Sequence, residues 1–140
     1  MRASVLILDG DIWRREALAA ALAYEGFHAV ATDTIGAALT LLAGCPFHLV
    51  LFDLSAPNAD GWAALERLTR IHPGLPVIVL LSEEDHPSCS TLSGRASVVA
   101  KPLNFPALLQ TVRSETATIG ELLAEGIRGT SIAIGPAMLP

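Results

Sequence analysis

The sequence predicts a doubly wound α/β domain built on a five-stranded parallel sheet. Three observations carry that prediction: short apolar runs recur through the first hundred residues, stretches with helical spacing separate them, and those stretches stop at a glycine or a proline. The runs are too continuously apolar to leave one face in water, which is how parallel strands covered on both sides read.

The first run, Val5 to Leu8 in "SVLILDGD", halts at Asp9, and Asp11 stands just before a helix expected from Ile12 to Glu25. Leu18, Ala21 and Leu22 give that helix its apolar stripe, and Gly26 ends it. Ala29 to Ala31 is the second strand, and Ala38, Leu41 and Leu42 mark a helix running up to Gly44. Leu49 to Phe52 is the third strand, closed by Asp53, and Leu65, Leu68 and Ile71 form a helix stripe ahead of Pro73. Val77 to Leu81 is the fourth strand and Val98 to Ala100 a weaker fifth. The segment between them, "SEEDHPSCSTLSGRAS", is poor in helix formers and holds Pro87 and Gly94, so a weakened fourth helix is expected: short, irregular or missing. Asn104 and Pro106 suit a helix cap and first turn, and Leu108, Leu109 and Val112 begin the last helix.

The domain is expected to occupy residues 1–116, with residues 117–140 as an extension. There Ile119, Leu122, Leu123 and Ile127 keep a helical spacing, and the uncharged end "GTSIAIGPAMLP" is expected to pack on this domain, a second subunit or a partner. No DNA-binding or catalytic output domain is expected in the residues left over.

At 140 residues and 51% hydrophobic content, the chain can bury one sizeable core. A net charge of -5, with nine unclustered Lys and Arg, argues against a phosphate backbone or an anionic membrane as the main partner. The opening residues form neither a secretory signal nor a membrane span, and a cytoplasmic location is expected. Cys45 and Cys89 stand far apart, and His28, His48, His72 and His86 fall at no ligand spacing, so zinc and redox chemistry find no support.

Ligands of open parallel sheets collect outside the carboxyl ends of the strands, so the residues closing each run carry the functional signal. Those residues are Asp9, Asp53, the stretch Leu81-Ser82-Glu83, and Lys101 followed by Pro102. Two carboxylates and one lysine, from three strands, thus converge on one edge. Carboxylates with few other ligands suit Mg²⁺, which in turn draws phosphate oxygens. Asp53 would be the nucleophile, forming an acyl phosphate, with Lys101 neutralising the transferred group. The plainer alternative is a structural Asp53–Lys101 salt bridge.

"LILDGDIWRR", "LVLFDLSAPNADGW", "LPVIVLLS" and "VVAKPLNFPALL" together resemble the receiver domain of two-component response regulators, over about residues 3–115. The spacing of Asp53, Pro57, Asp60 and Gly61 is the most specific part of the match. The resemblance implies the flavodoxin-like, receiver-type fold and Asp53 as phosphoacceptor. It also implies Lys101, before a cis-proline, as the phosphoryl contact, and Mg²⁺ held by Asp9, Asp53 and the backbone of Ser55. Implied partners are a histidine kinase or phosphotransfer protein and a downstream signalling protein, with a homodimer possible and no enzymatic turnover beyond self-catalysed phosphotransfer.

Three positions depart from the family pattern. The second metal-binding acid is replaced by Gly10, the hydroxyl closing the fourth strand falls on Leu81, and the switch aromatic falls on Val98. Losing a ligand and a donor costs on the order of 2 to 4 kcal/mol each in transition-state stabilisation, so slow or absent chemistry is expected. Asp11 shares Asp9's side of an extended segment and is open to two roles, replacement ligand or N-cap. Ser82, one residue late, would need a bulge to replace the hydroxyl, and Glu83, Glu84 and Asp85 offer acid from the neighbouring loop. Two versions stay open: an atypical single-domain receiver in a phosphorelay, and a pseudo-receiver acting by contact alone. An enzyme alternative also exists, because Asp9 and Asp11 match the opening of haloacid-dehalogenase-type phosphatases, although Ile12-Trp13 follows and no late acid pair is present.

Overall fold

A computed structural model of the chain describes residues 2–53, 59–81 and 96–117. Five strands, β1 (Ser4–Leu8), β2 (His28–Thr32), β3 (Leu49–Asp53), β4 (Val77–Leu81) and β5 (Ala96–Ala100), form one sheet in the order β2-β1-β3-β4-β5. Every adjacent pair is parallel. The described helices are α1 (Ile12–Tyr24), α2 (Ile35–Gly44), α3 (Ala59–Ile71) and α4 (Phe105–Thr116). The expected doubly wound fold is therefore the observed one. The weakened helix expected between β4 and β5, and the extension beyond Ala117, lie outside the described residues.

Side chains alternate across a strand, and the sheet divides its core accordingly. Val5, Ile7, Leu49, Leu51, Ile78 and Leu80 pack on one face with Leu18 and Leu22 of α1 and Leu108 and Val112 of α4. Leu6, Leu8, Val50, Phe52, Val77, Val79 and Leu81 pack on the other with Ala38 of α2 and Leu65 and Leu68 of α3. This two-sided burial is why the strands read as unbroken apolar runs.

Helix ends follow local chemistry. Asn104 and Thr34 cap α4 and α2, accepting from Ala107 N at 3.1 Å and Ala37 N at 3.1 Å. At the end of α1, Gly26 adopts φ +98°, the left-handed conformation that glycine tolerates best. Gly26 N then donates to Ala23 O and Phe27 N to Leu22 O, so the closing carbonyls are satisfied and Phe27 turns into the core beside Leu22.

Two elements differ from expectation. β5 begins at Ala96, because pairing of Ala96 and Ser97 with Val77 and Ile78 recruits residues with little apolar signal of their own. Ile71 is 49% exposed, since six residues after Leu65 is off the helical stripe; Thr69, four residues on, is buried there instead. Among the described residues, no helix is long and apolar enough to cross a membrane.

Leu22 is fully buried and Tyr24, two residues on, is 89% exposed. Leu22→Ala is expected to cost on the order of 2 to 5 kcal/mol in urea unfolding, whereas Tyr24→Ala should stay within about 0.5 kcal/mol of the parent.

Candidate functional site

The direction of strand addition reverses between β1 and β3, which opens a crevice at their carboxyl ends. Asp9 follows β1 directly, and its N–H donates to Thr32 O at 3.1 Å, continuing the β1–β2 ladder one residue past the strand. Asp53 closes β3 opposite Leu80 of β4. Lys101 N donates to Leu81 O at 2.9 Å and so continues the β4–β5 pairing, with a cis peptide following to Pro102.

Strand parity aims these groups together. Asp9 continues Val5 and Ile7, Asp53 continues Leu49 and Leu51, and Lys101 follows Val99, all on the face covered by α1 and α4. Both carboxylates are almost sealed from solvent, with side chains 0% exposed for Asp9 and 1% for Asp53. Ionised groups so placed require cations and donors.

Two cations supply them. Lys101 Nζ lies 2.8 Å from Asp53 Oδ1. Arg14, from the first turn of α1, places Nε 2.6 Å from Asp9 Oδ2 and 3.0 Å from Asp53 Oδ2, bridging the two acids. Its Nη2 donates to Asp9 Oδ1 at 3.1 Å, which also accepts from Asp11 N at 2.9 Å. Arg15 Nη1 donates to the backbone carbonyl of Asp9 at 2.8 Å. The Arg14 guanidinium is held above its ordinary pKa, chiefly by the hydrogen bond to Asp9, against partial burial and with further help from the charges of Asp53, Asp9 and Asp11.

Three of the expected site residues, Asp9, Asp53 and Lys101, are thus within one ionic cluster. Asp11 is at its rim, and its Oδ1 caps α1 by accepting from Trp13 N at 2.9 Å and Arg14 N at 3.3 Å; its Oδ2 lies 3.8 Å from Arg14 Nη1. Ser55, Pro57, Ser82, Glu83, Glu84 and Asp85 lie outside the described residues. Leu81 is buried in the cluster on the opposite face, and Val98 packs against that same cluster. His48 has a structural role: its Nδ1 accepts from Ser4 N at 2.9 Å.

Arg14 was missed by sequence reasoning, although a signal existed. Residues 14, 18 and 22 are spaced by four, so Arg14 extends the buried Leu18–Leu22 stripe to the carboxyl edge of the sheet, where a charged residue is out of keeping with core packing.

Comparison with known proteins gives one answer. The sequence model of the response regulator receiver domain matches residues 5–113. The chain is 35% identical over 114 residues to the response regulator protein FleR of Pseudomonas aeruginosa, covering 80% of this chain and 24% of that protein. It is 27% identical to the transcriptional regulatory protein GlrR of Escherichia coli over 98% of this chain and 31% of that protein, so it spans a quarter to a third of these two relatives. Among solved structures, a CheY-like receiver domain protein from Methanospirillum hungatei superposes with a TM-score of 0.71 at 25% identity, covering 83% of this chain and 94% of that one. The response regulator TrrA of Thermotoga maritima, in complex with Mg²⁺ and beryllium fluoride, shares the fold with a TM-score of 0.70 at 21% identity, covering 81% of this chain and 98% of that one.

The cap at Asp11 gives a separable test. Asp11→Ala should lower unfolding stability by about 1 kcal/mol, and Asp11→Asn, which keeps the acceptor, should recover most of it. Equal losses in both variants would mean that the Asp11 charge, and not the cap, matters at this position.

Proposed function

The chain belongs to the response regulator receiver family, and from that membership we propose that it is a signalling module whose phosphoacceptor is Asp53. The observation that supports this reading is the convergence of Asp53 with Lys101 Nζ, at 2.8 Å, at the carboxyl edge of the sheet. A carboxylate there is a nucleophile flanked by fixed positive charge. A carboxylate oxygen of Asp53 attacks the phosphorus of a phosphohistidine, the P–N bond breaks as the new P–O bond forms, and the departing imidazole takes up a proton. The ammonium of Lys101 is in reach of the phosphoryl oxygens, where it offsets the charge carried into the site. The donor is a histidine kinase or a phosphotransfer protein, and the output is contact with a downstream signalling protein.

Receiver domains typically bind Mg²⁺ at this place, but the donor set here does not fit that ion as it stands. Among the described residues no group of three or more His, Cys, Asp and Glu side chains is arranged to hold a metal. Asp9 Oδ2 and Asp53 Oδ2 both face Arg14 Nε, and position 10 carries no acid. A second reading, a receiver fold used for contact without phosphate, is favoured by the tie of Arg14 to Asp53 and by Leu81, whose side chain cannot donate a hydrogen bond. The phosphatase alternative finds less support, since Asp9 is held by Arg14 and by its own loop while Asp11 is a helix cap.

Incubation with acetyl phosphate or phosphoramidate, followed by intact-mass measurement, separates these readings. Gain of one phosphoryl group, absent in Asp53→Asn and slowed about a hundredfold or more in Lys101→Ala, is the expected result. No gain in the parent chain under prolonged incubation would leave the contact-only reading.

A further inference from the structure

We propose that Arg14 is a built-in cation that takes the position of the divalent metal in this receiver's acid pocket, so that the pocket excludes Mg²⁺ and is held together without it. The inference rests on the reading of Asp9 and Asp53 as that pocket. It does not require that Asp53 be phosphorylated.

Distance makes the first argument. Mg²⁺ binds oxygen at about 2 Å and keeps near-octahedral geometry. Asp9 and Asp53 would be the side chains to hold such an ion, and Arg14 Nε already lies 2.6 Å from Oδ2 of the first and 3.0 Å from Oδ2 of the second. The ion and the guanidinium cannot share that place, so metal entry requires Arg14 to leave.

Departure is opposed on several sides. Arg14 would give up two hydrogen bonds to Asp9 and its ion pair with Asp53. The carboxylate it would free is turned by Asp11 N, and the helix carrying it is pinned by the Asp11 cap. The guanidinium, like arginine in proteins generally, is a fixed positive charge, so it does not vacate the place by losing its proton.

Charge makes the second argument. Asp9 and Asp53 carry two negative charges, and Arg14 and Lys101 carry two positive ones, so the pocket is neutral as built. Position 10, where the family carries a further acid, is glycine. A Cβ there would meet nothing within 4 Å, so crowding does not account for the missing acid. Loss of one acid and exchange of a divalent ion for a monovalent side chain leave the same balance. The two departures are one change.

The test is a titration of isotopically labelled protein with MgCl₂, against a matched NaCl titration, following backbone amides and the Nε–Hε signal of Arg14. In the parent chain the amides of Asp9, Asp53 and Lys101 should show no saturable shift to millimolar Mg²⁺, and the Arg14 signal should not move. Arg14→Met suits the Leu18–Leu22 stripe and should create saturable Mg²⁺ binding that is lost again in Arg14→Met/Asp53→Asn. Saturable shifts in the parent, with loss of the Arg14 signal, overturn the proposal even if Arg14→Met fails to fold. A folded Arg14→Met that binds no more Mg²⁺ than the parent overturns it as well. If Asp53 takes up phosphoryl groups, uptake from phosphoramidate should be equal in EDTA and in Mg²⁺. Absence of uptake defeats the acceptor assignment and leaves the metal titration to judge Arg14.

Discussion

Two buried carboxylates on adjacent strand ends impose the constraint on which this domain's carboxyl edge depends. Asp9 and Asp53 point to the same face because each continues an odd-numbered set of core residues, Val5 and Ile7 or Leu49 and Leu51. Taking an ionised carboxylate out of water costs several kcal/mol unless a cation and donors meet it. Lys101 reaches Asp53 from β5, two strands away, and Arg14 reaches both acids from α1. The sheet order, the start of α1 and the turn after β5 are therefore tied to one another through four charges.

Arg14 shows which energy prevails at the start of α1. A cation in the first turn of a helix faces the positive end of the helix dipole, an unfavourable placement of about 0.3 to 1 kcal/mol at an exposed site. Partly buried, doubly engaged ion pairs outweigh that amount, because removing one partner of a buried pair costs about 3 to 5 kcal/mol. The side chain of Arg14 is 30% exposed, so the upper figure is screened, but the sign is not in question. The cap at Asp11 lowers the opposing cost further by placing a negative charge beside the same helix terminus.

Much of this was legible in the sequence. Unbroken apolar runs gave the parallel sheet, and the residues closing them gave Asp9, Asp53 and Lys101, because parity and strand direction suffice to bring strand ends together. Asp11 was ambiguous on paper, since an extended residue two positions from Asp9 can face the same way and still cap a helix; the structure has its Oδ1 on the backbone of Trp13 and Arg14. Arg14 was not recognised, because neither of two adjacent arginines belongs to a motif whose spacing marks a site. Only the Leu18–Leu22 stripe, carried back one turn, singles out the first of the pair. The start of β5 was missed for a different reason: Ala96 and Ser97 join the sheet through backbone pairing, which leaves little trace in side-chain type.

A tethered guanidinium and a free metal ion neutralise acids in physically different ways. The occupancy of a metal site varies with ion concentration, whereas Arg14 is attached to the helix that the site itself caps, so its local concentration is set by the fold. The exchange also changes what the pocket can accept. A divalent ion retains open coordination positions for phosphate oxygens, while Arg14 directs Nε and Nη2 at carboxylates already present. On the proposed acceptor role of Asp53, an incoming phosphoryl group would then meet the ammonium of Lys101. With no open coordination position for phosphate oxygens, and with leucine in place of a hydroxyl at position 81, the pocket would stabilise added negative charge less well although its net charge is the same. On that proposed role, the same ion pairs that satisfy the two buried acids would thus limit how strongly the pocket responds to phosphate.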